Sequence, residues 1–202
     1  MEVYNFIKEV FGGHIMSEYT LKDDRDYEMI NGKIYMMSRP NMNHITISGN
    51  ILGIFKNFLK GKTYKVYSKP DVFFDDENNF IPDIVVLCDK GKKKYKAIYG
   101  APDLVIEILS PSTGVKDLGE KKDVYCKTGV KEYWIVDPES KRIIVYYLSG
   151  DSFKLSNVYS YYTEKQMEEM PDDERKAIIS RFRPGLFNDL EIDLSEVFED
   201  VE

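Results

Sequence analysis

The sequence predicts an α/β protein whose core is a mixed β-sheet flanked by helices. Short apolar runs, bounded by proline, glycine, asparagine or aspartate, alternate with longer segments in which apolar residues recur at helical spacing. Their order along the chain, with helices set between groups of strands, is typical of a mixed sheet. The 202 residues are 43% hydrophobic, which suffices for the core of one domain.

Three segments have helical patterns. Residues 1–17 are predicted to form an amphipathic N-terminal extension, because their apolar side chains fall on one side of a helix. A second helix is predicted from about residue 43 to residue 60, where Gly61 ends it. A third is predicted over residues 115–127, before Gly129.

Turn signals delimit the predicted strands. Asn31-Gly32 lies between apolar residues and predicts a β-hairpin over residues 27–37. Further strands are predicted over residues 64–74 (interrupted by Pro70), 83–88, 104–109, 132–136 and 142–148. A polar turn is predicted at residues 75–79 and a lysine-rich loop at residues 89–97.

The expected organisation is a single domain over residues 18–198. It includes a highly charged excursion at residues 159–178 and is followed by an acidic tail at residues 199–202. No apolar run approaches the roughly 18 residues that a membrane helix requires. The N-terminus contains acids and does not resemble a signal peptide, so a cytoplasmic protein is expected.

Charge is distributed unevenly along the chain. The net charge of −7 argues mildly against nonspecific binding of nucleic acid. Residues 90–131, however, hold ten lysines against five acids, whereas residues 164–202 hold thirteen acids against five bases. The basic stretch coincides with the segment in which the candidate site residues are found.

Glu107 is the one ionisable residue in the apolar run formed by residues 104–109. An unpaired carboxylate in such a strand costs several kcal/mol, so a partner, a proton or a metal ion is expected there. Asp83 stands at the start of a second apolar strand, 24 residues upstream. A short connection allows the two strands to be neighbours, which would place both carboxylates at one end of the sheet.

Two close carboxylates repel each other unless a cation lies between them. The chain has only two histidines, His14 and His44, which excludes a multi-histidine zinc centre. Oxygen ligands favour a hard cation, so Mg²⁺ or Mn²⁺ is the expected cofactor. A bound metal ion of this kind, with a lysine nearby, is suited to phosphoryl chemistry.

These residues resemble the PD-(D/E)XK nuclease superfamily, and more closely its Uma-type restriction-endonuclease-like family. The matching positions are residues 27–32, His44, residues 82–86 and 104–112, Lys121, Tyr125, and residues 129–138 and 184–186. The resemblance covers about residues 18–198, and the stretch from residue 104 to residue 138 is its most specific part. It implies a restriction-endonuclease-like fold and a metal-dependent endonuclease that acts on nucleic acid, with DNA favoured.

The resemblance also implies roles for particular residues. Asp83, Glu107 and the backbone carbonyl of Ile108 would hold the metal, and Glu28 would be an accessory acid. Leu109 stands where the superfamily pattern has its lysine, and in the resembled family that lysine moves to the next helix, here Lys121. Helical geometry alone leaves Lys122 as an alternative, since both lysines flank the same helix face.

Several other interpretations remain open from the sequence. Glu107 and Lys121 could form a structural ion pair without a metal, Glu28 could be a surface cross-strand partner, and His44 could serve the start of a helix or an interface. The whole chain could be a non-cleaving binding module with a nuclease fold, or, less in keeping with its lysine, a glycosidase-like hydrolase. A homodimer is plausible because cutting both strands of a duplex needs two sites.

Overall fold

The structure, a computed structural model, describes residues 26–111 and 114–202. The predicted amphipathic extension at residues 1–17 lies outside the described residues. Thirteen strands are found among the described residues: β1 Tyr27–Ile30, β2 Lys33–Met36, β3 Lys65–Ser68, β4 Val72–Asp75, β5 Asn78–Phe80, β6 Ile84–Leu87, β7 Ile98–Tyr99, β8 Leu104–Ile108, β9 Glu132–Asp137, β10 Arg142–Ser149, β11 Ser152–Ser160, β12 Arg181–Phe182 and β13 Ile192–Asp193. Six helices accompany them: α1 Met42–Phe58, α2 Gly114–Leu118, α3 Glu120–Thr128, α4 Glu164–Glu168, α5 Asp172–Ala177 and α6 Leu194–Val197.

A six-stranded mixed sheet carries the two candidate acids. Its order is β11-β10-β9-β8-β6-β3, with β8 and β9 parallel and the other neighbours antiparallel. Strand β8 is buried along its whole length, as its nearly continuous apolar sequence predicts. The mixed α/β architecture predicted from the sequence is therefore confirmed.

The two faces of this sheet pack against different partners. Helix α1 covers one face, where Ile47, Ile51 and Phe55 contact residues that include Ile106 and Trp134. Helix α3 covers the other face, through residues that include Tyr125. Because side chains alternate along a strand, β8 directs Glu107 to the opposite face from Ile106.

A five-stranded sheet, in the order β2-β1-β5-β4-β7, lies against the α3 side and contributes residues such as Phe80 to that core. Its β1–β2 hairpin forms as predicted, because Asn31 and Gly32 both adopt positive φ angles, 50° and 72°. These left-handed conformations match the two central residues of a type I′ turn. The hairpin brings Glu28 toward the centre of the molecule.

Three predictions about the strands of the smaller sheet are wrong. The strand expected over residues 64–74 is two strands, β3 and β4, which belong to different sheets and are separated at Pro70. Pro70 has no N–H to donate, so a continuous ladder cannot pass through it. The polar turn expected at residues 75–79 includes strand β5, and the lysine-rich loop leads directly into strand β7.

The helix expected over residues 115–127 is divided into α2 and α3 by Gly119. A Cβ atom at position 119 would lie 3.0 Å from the carbonyl oxygen of Val115, so the path of the chain there depends on glycine. Gly129, with a φ of 91°, then ends α3 as the sequence predicts. The break separates the start of the α3 helix from α2.

The charged excursion begins with a strand that the sequence interpretation missed. Strand β11 extends to Ser160 and pairs antiparallel with β10 along its length. Two short helices without buried residues, α4 and α5, follow it. Within the described ranges, no helix has the length and apolar character needed to cross a membrane.

Candidate active site

Asp83 and Glu107 lie side by side at one end of the six-stranded sheet. Strands β6 and β8 are antiparallel, with Ile84 opposite Ile106, so the next position pairs Asp83 with Glu107. The Asp83 N–H donates to Glu107 Oε2 over 3.3 Å, and the Ile108 N–H donates to Asp83 Oδ2 over 2.9 Å. Each acid is therefore held by the backbone that precedes or follows the other.

Lys121 joins the two acids from helix α3. Its Nζ atom lies 2.6 Å from Glu107 Oε1, 2.9 Å from Glu28 Oε1 and 3.4 Å from Asp117 Oδ1. Lys122 points elsewhere, with its Nζ atom 3.7 Å from the centre of the Tyr146 ring. The tertiary structure thus brings Lys121, and not Lys122, into the acidic cluster.

Glu28 is a buried member of this cluster and not a surface residue of its hairpin. Only 2% of its surface is exposed, and its Oε1 atom accepts hydrogen bonds from the Ile81 N–H and from Lys121, both over 2.9 Å. A carboxylate with these partners holds the β1 strand, the segment before Asp83 and helix α3 in register. The alternative of a surface cross-strand partner is therefore wrong.

The structure adds three residues to the set expected from the sequence. Tyr125, one helical turn after Lys121, donates its hydroxyl hydrogen to Glu107 Oε1 over 2.6 Å. His44 Nε2 lies 3.1 Å from Asp83 Oδ2, and Asp117 approaches Lys121 from helix α2. Tyr125 was detectable from its i, i+4 spacing to Lys121, whereas Asp117 had no distinctive signal before the α2–α3 break was known.

The electrostatic balance of the cluster raises the pKa of Glu107 to about 8. Burial is the largest cause, and the neighbouring carboxylates of Asp117, Asp83 and Glu28 add to it, while the Lys121 ammonium opposes them. For Lys121, burial lowers the pKa, but the carboxylates outweigh it and hold the pKa well above its ordinary value. The cluster contains more buried negative charge than a single lysine compensates.

A small cavity of about 40 Å³ opens onto this cluster. Its lining includes Glu28, Asp83, Glu107, Lys121 and, at the rim, Lys69. The Lys69 Nζ atom lies 3.9 Å from Asp83 Oδ1, and its side chain is 37% exposed. The cavity has room for an ion or a water molecule and connects the acids with the surface.

The donor set fits a hard divalent cation. The oxygen-rich lining and the raised Glu107 pKa indicate that added positive charge would be stabilised there. In the described part of the chain, no group of three or more histidine, cysteine, aspartate and glutamate side chains is arranged to hold a metal. The fit is therefore to an ion that takes few side-chain ligands and keeps several waters, as Mg²⁺ does.

The fold and this arrangement of two strand-borne acids with a helix-borne lysine define a nuclease-like α/β protein. The structure is similar to a crystal structure described as a "putative nuclease belonging to DUF820" from Anabaena variabilis, with a TM-score of 0.66 and 20% identity over 87% of this chain and 91% of that one. That likeness concerns the fold.

The chain belongs to the Uma2 family, described as "Putative restriction endonuclease", whose profile matches residues 16–174. An uncharacterised protein of Synechocystis sp. is 29% identical over 158 residues, which span 75% of this chain and 82% of that relative. The family predicted from the sequence is confirmed. The roles of the individual site residues remain predictions.

Proposed function

We propose that this protein is a metal-dependent endonuclease that hydrolyses phosphodiester bonds of nucleic acid, with DNA as the favoured substrate. Membership of a restriction-endonuclease family supports the reaction class. The observation that carries the site assignment is the antiparallel placement of Asp83 opposite Glu107, with Lys121 in contact with Glu107. A buried cluster of this composition has more negative charge than the fold itself requires.

The proposed ligands of the cation, Mg²⁺ or Mn²⁺, are Asp83, Glu107 and the carbonyl oxygen of Ile108. Such an ion, when bound, neutralises phosphate charge and lowers the pKa of a bound water. Strands β6 and β8 hold the two carboxylates through mutual backbone hydrogen bonds, so little reorganisation is needed.

Lys121 has the geometry to serve the reacting phosphate. Its ammonium already contacts Glu107, and from that position it can donate a hydrogen bond to a phosphoryl oxygen or orient the attacking water. Glu28 and Asp117 hold the ammonium from the other sides and keep it charged. Lys69, at the rim of the cavity, is placed to contact a flanking phosphate.

The test is cleavage of supercoiled plasmid and short duplexes by purified protein with Mg²⁺ or Mn²⁺. Glu107→Gln and Lys121→Gln should each lower the rate by at least about 100-fold, the order of effect seen when a transition-state donor is removed. Lys122→Gln is the matched control, because Lys122 lies beside Lys121 but contacts Tyr146. Equal rates for wild type and Glu107→Gln would contradict the site assignment.

A second function, a non-cleaving binding module, is favoured by one specific observation. Lys121 contacts three carboxylates at once, so the cluster is partly compensated without any cation. This function predicts no cleavage of DNA or RNA and no heat of Mn²⁺ binding by calorimetry. Heat of binding that disappears in Asp83→Asn would exclude it in favour of the metal-dependent enzyme.

A further inference from the structure

We propose that His44 is a positioning residue that holds the Asp83 carboxylate in place. In this arrangement one oxygen of Asp83, Oδ2, is fixed by hydrogen bonds, and the other, Oδ1, is left toward the cavity. The part of the proposal that concerns cation affinity rests on the proposed function. The part that concerns the orientation of Asp83 does not.

Helix α1 delivers His44 to the acid by an N-terminal cap. The side chain of Asn41 accepts a hydrogen bond from the His44 N–H over 2.9 Å, which sets the first turn of the helix. The next buried positions of α1, Ile47 and Ile51, pack on the sheet and hold the helix at a constant height above β6. His44 is itself 94% buried, so its ring has little freedom to leave Asp83.

The two oxygens of Asp83 have different surroundings. Oδ2 accepts the Ile108 N–H over 2.9 Å and is 3.1 Å from His44 Nε2. Oδ1 has Lys69 Nζ near it, at 3.9 Å, beyond hydrogen-bond distance. Two donors on the same oxygen fix the plane of the carboxylate and direct the less engaged oxygen toward the cavity and its rim.

The ring of His44 is tied to Asp83 through one nitrogen. Its Nδ1 atom is buried and has no hydrogen-bond partner within the described residues. A histidine that only linked two parts of a core would be expected to satisfy both nitrogens, because buried polar atoms are normally paired. The bond to a carboxylate requires the hydrogen on Nε2, so the geometry assigns the Nε2–H form to the ring.

Two substitutions separate positioning from simple packing. Glutamine places its amide nitrogen near the position of Nε2, so His44→Gln can keep the donor to Asp83. Asparagine places its amide nitrogen near the position of Nδ1, so His44→Asn keeps a polar side chain but loses the reach. Thermal unfolding of both variants measures any effect on stability alone.

The first readout needs no metal and no substrate. With two histidines in the chain, the imidazole ¹⁵N spectrum of the metal-free protein contains two ring systems, and His44→Asn identifies the one that belongs to His44. The Nε2–H pattern is expected for His44. A ring with its hydrogen on Nδ1 alone would overturn the proposal, whatever the protein does to nucleic acid.

The second readout is the affinity for Mn²⁺ by calorimetry. His44→Asn is expected to weaken it by about 10- to 100-fold, the usual effect of removing a group that orients a metal ligand, and His44→Gln by less than about threefold. Equal affinities for all three proteins, or equal losses in both variants that follow their loss of stability, would leave His44 a packing residue and overturn the proposal. Wild-type protein that shows the Nε2–H pattern but binds no Mn²⁺ would refute the proposed metal-dependent function and leave the orientation of Asp83 by His44 supported.

Discussion

The carboxyl group of Glu107 lies among more acids than cations, and this imbalance governs the behaviour of the site at the scale of residues. Lys121 and the Tyr125 hydroxyl both contact Glu107 Oε1 over 2.6 Å. Both contacts favour a carboxylate, but burial and three neighbouring acids outweigh them and raise its pKa to about 8. A proton or a cation can therefore relieve the same excess of negative charge.

Stability without metal is expected to fall as pH rises toward the Glu107 pKa. The unfolded chain ionises this group near its ordinary pKa of 4.5, whereas the folded chain keeps the proton until about pH 8. Between these values the folded state binds more protons, so the free energy of unfolding decreases with increasing pH. The melting temperature in EDTA should fall between about pH 6 and about pH 9, more steeply for wild type than for Glu107→Gln.

Added Mg²⁺ or Mn²⁺ should reduce this fall if the cation replaces the proton on Glu107. The same ions should leave the pH dependence of Glu107→Gln nearly unchanged. Wild type and Glu107→Gln with parallel melting curves at every pH would show that Glu107 does not titrate in this window.

Tyr125→Phe is expected to destabilise the protein through the loss of one hydrogen bond. The ring remains packed against Phe80 and Tyr133, so the change removes the donor to Glu107 and little else. Hydrogen bonds to charged groups contribute roughly 1.5–3 kcal/mol, and a loss of that size should appear in urea denaturation. Tyr95→Phe, at a 99% exposed tyrosine, is the matched control and should change stability by less than about 0.5 kcal/mol.

At the scale of elements, two interruptions decide which side chains reach the site. Pro70 separates β3 from β4 and leaves Lys69 at the rim of the cavity. Gly119 divides the predicted helix, so that Asp117 and Lys121 approach each other from two short helices. The periodicity of apolar residues predicted the helical character of residues 115–127, because it depends on local spacing, but it carried no information about the break.

Gly119→Ala should destabilise the protein and displace Lys121. The new Cβ atom would lie 3.0 Å from the carbonyl oxygen of Val115, a contact that requires the backbone to shift. A cost of about 1–3 kcal/mol is expected, as for other overpacked positions, with a reduced cleavage rate. Gly53→Ala in helix α1 is the control: its Cβ meets nothing within 4 Å, so stability should rise by about 0.5–1 kcal/mol.

At the scale of the whole molecule, the uneven charge distribution sets how nucleic acid can approach a protein with a net charge of −7. The lysine-rich loop packs beside the strands that flank the site: Ile98 pairs with Val72, and Lys93 lies 5.2 Å from the centre of the Tyr67 ring. These contacts place the loop on the side of the molecule that carries Lys69. Helices α4 and α5 carry most of the acidic excess.

Reversal of charge in this loop should weaken binding to a DNA duplex. A Lys90→Glu/Lys94→Glu variant in the Glu107→Gln background should bind less tightly, with a salt dependence reduced by about two phosphate contacts. Lys165→Glu/Lys176→Glu, in the two exposed helices, makes the same change of net charge and should have a smaller effect. Fluorescence anisotropy at several salt concentrations measures both, and equal losses in the two variants would indicate a response to net charge alone.

The sequence by itself determined the architecture and the chemical kind of site. Apolar runs, the Asn31-Gly32 turn and Gly129 predicted the main strands, the hairpin and a helix end, because each depends on local backbone preferences. Asp83 and Glu107 were conspicuous because acids are costly in apolar strands. Strands β5 and β11 were missed because polar residues in them pair with neighbours that are distant or irregular in sequence.

Only the tertiary structure decided which side chains meet. The choice of Lys121 over Lys122, the burial of Glu28 and the contact of His44 with Asp83 all depend on how α1, α3 and the hairpin pack around two strands. A helix of 3.6 residues per turn offers several faces to a neighbour, and the sequence of one segment does not contain the position of the segment that it faces. The identity of the acids was therefore local information, while their partners were set by packing over separations of up to 93 residues.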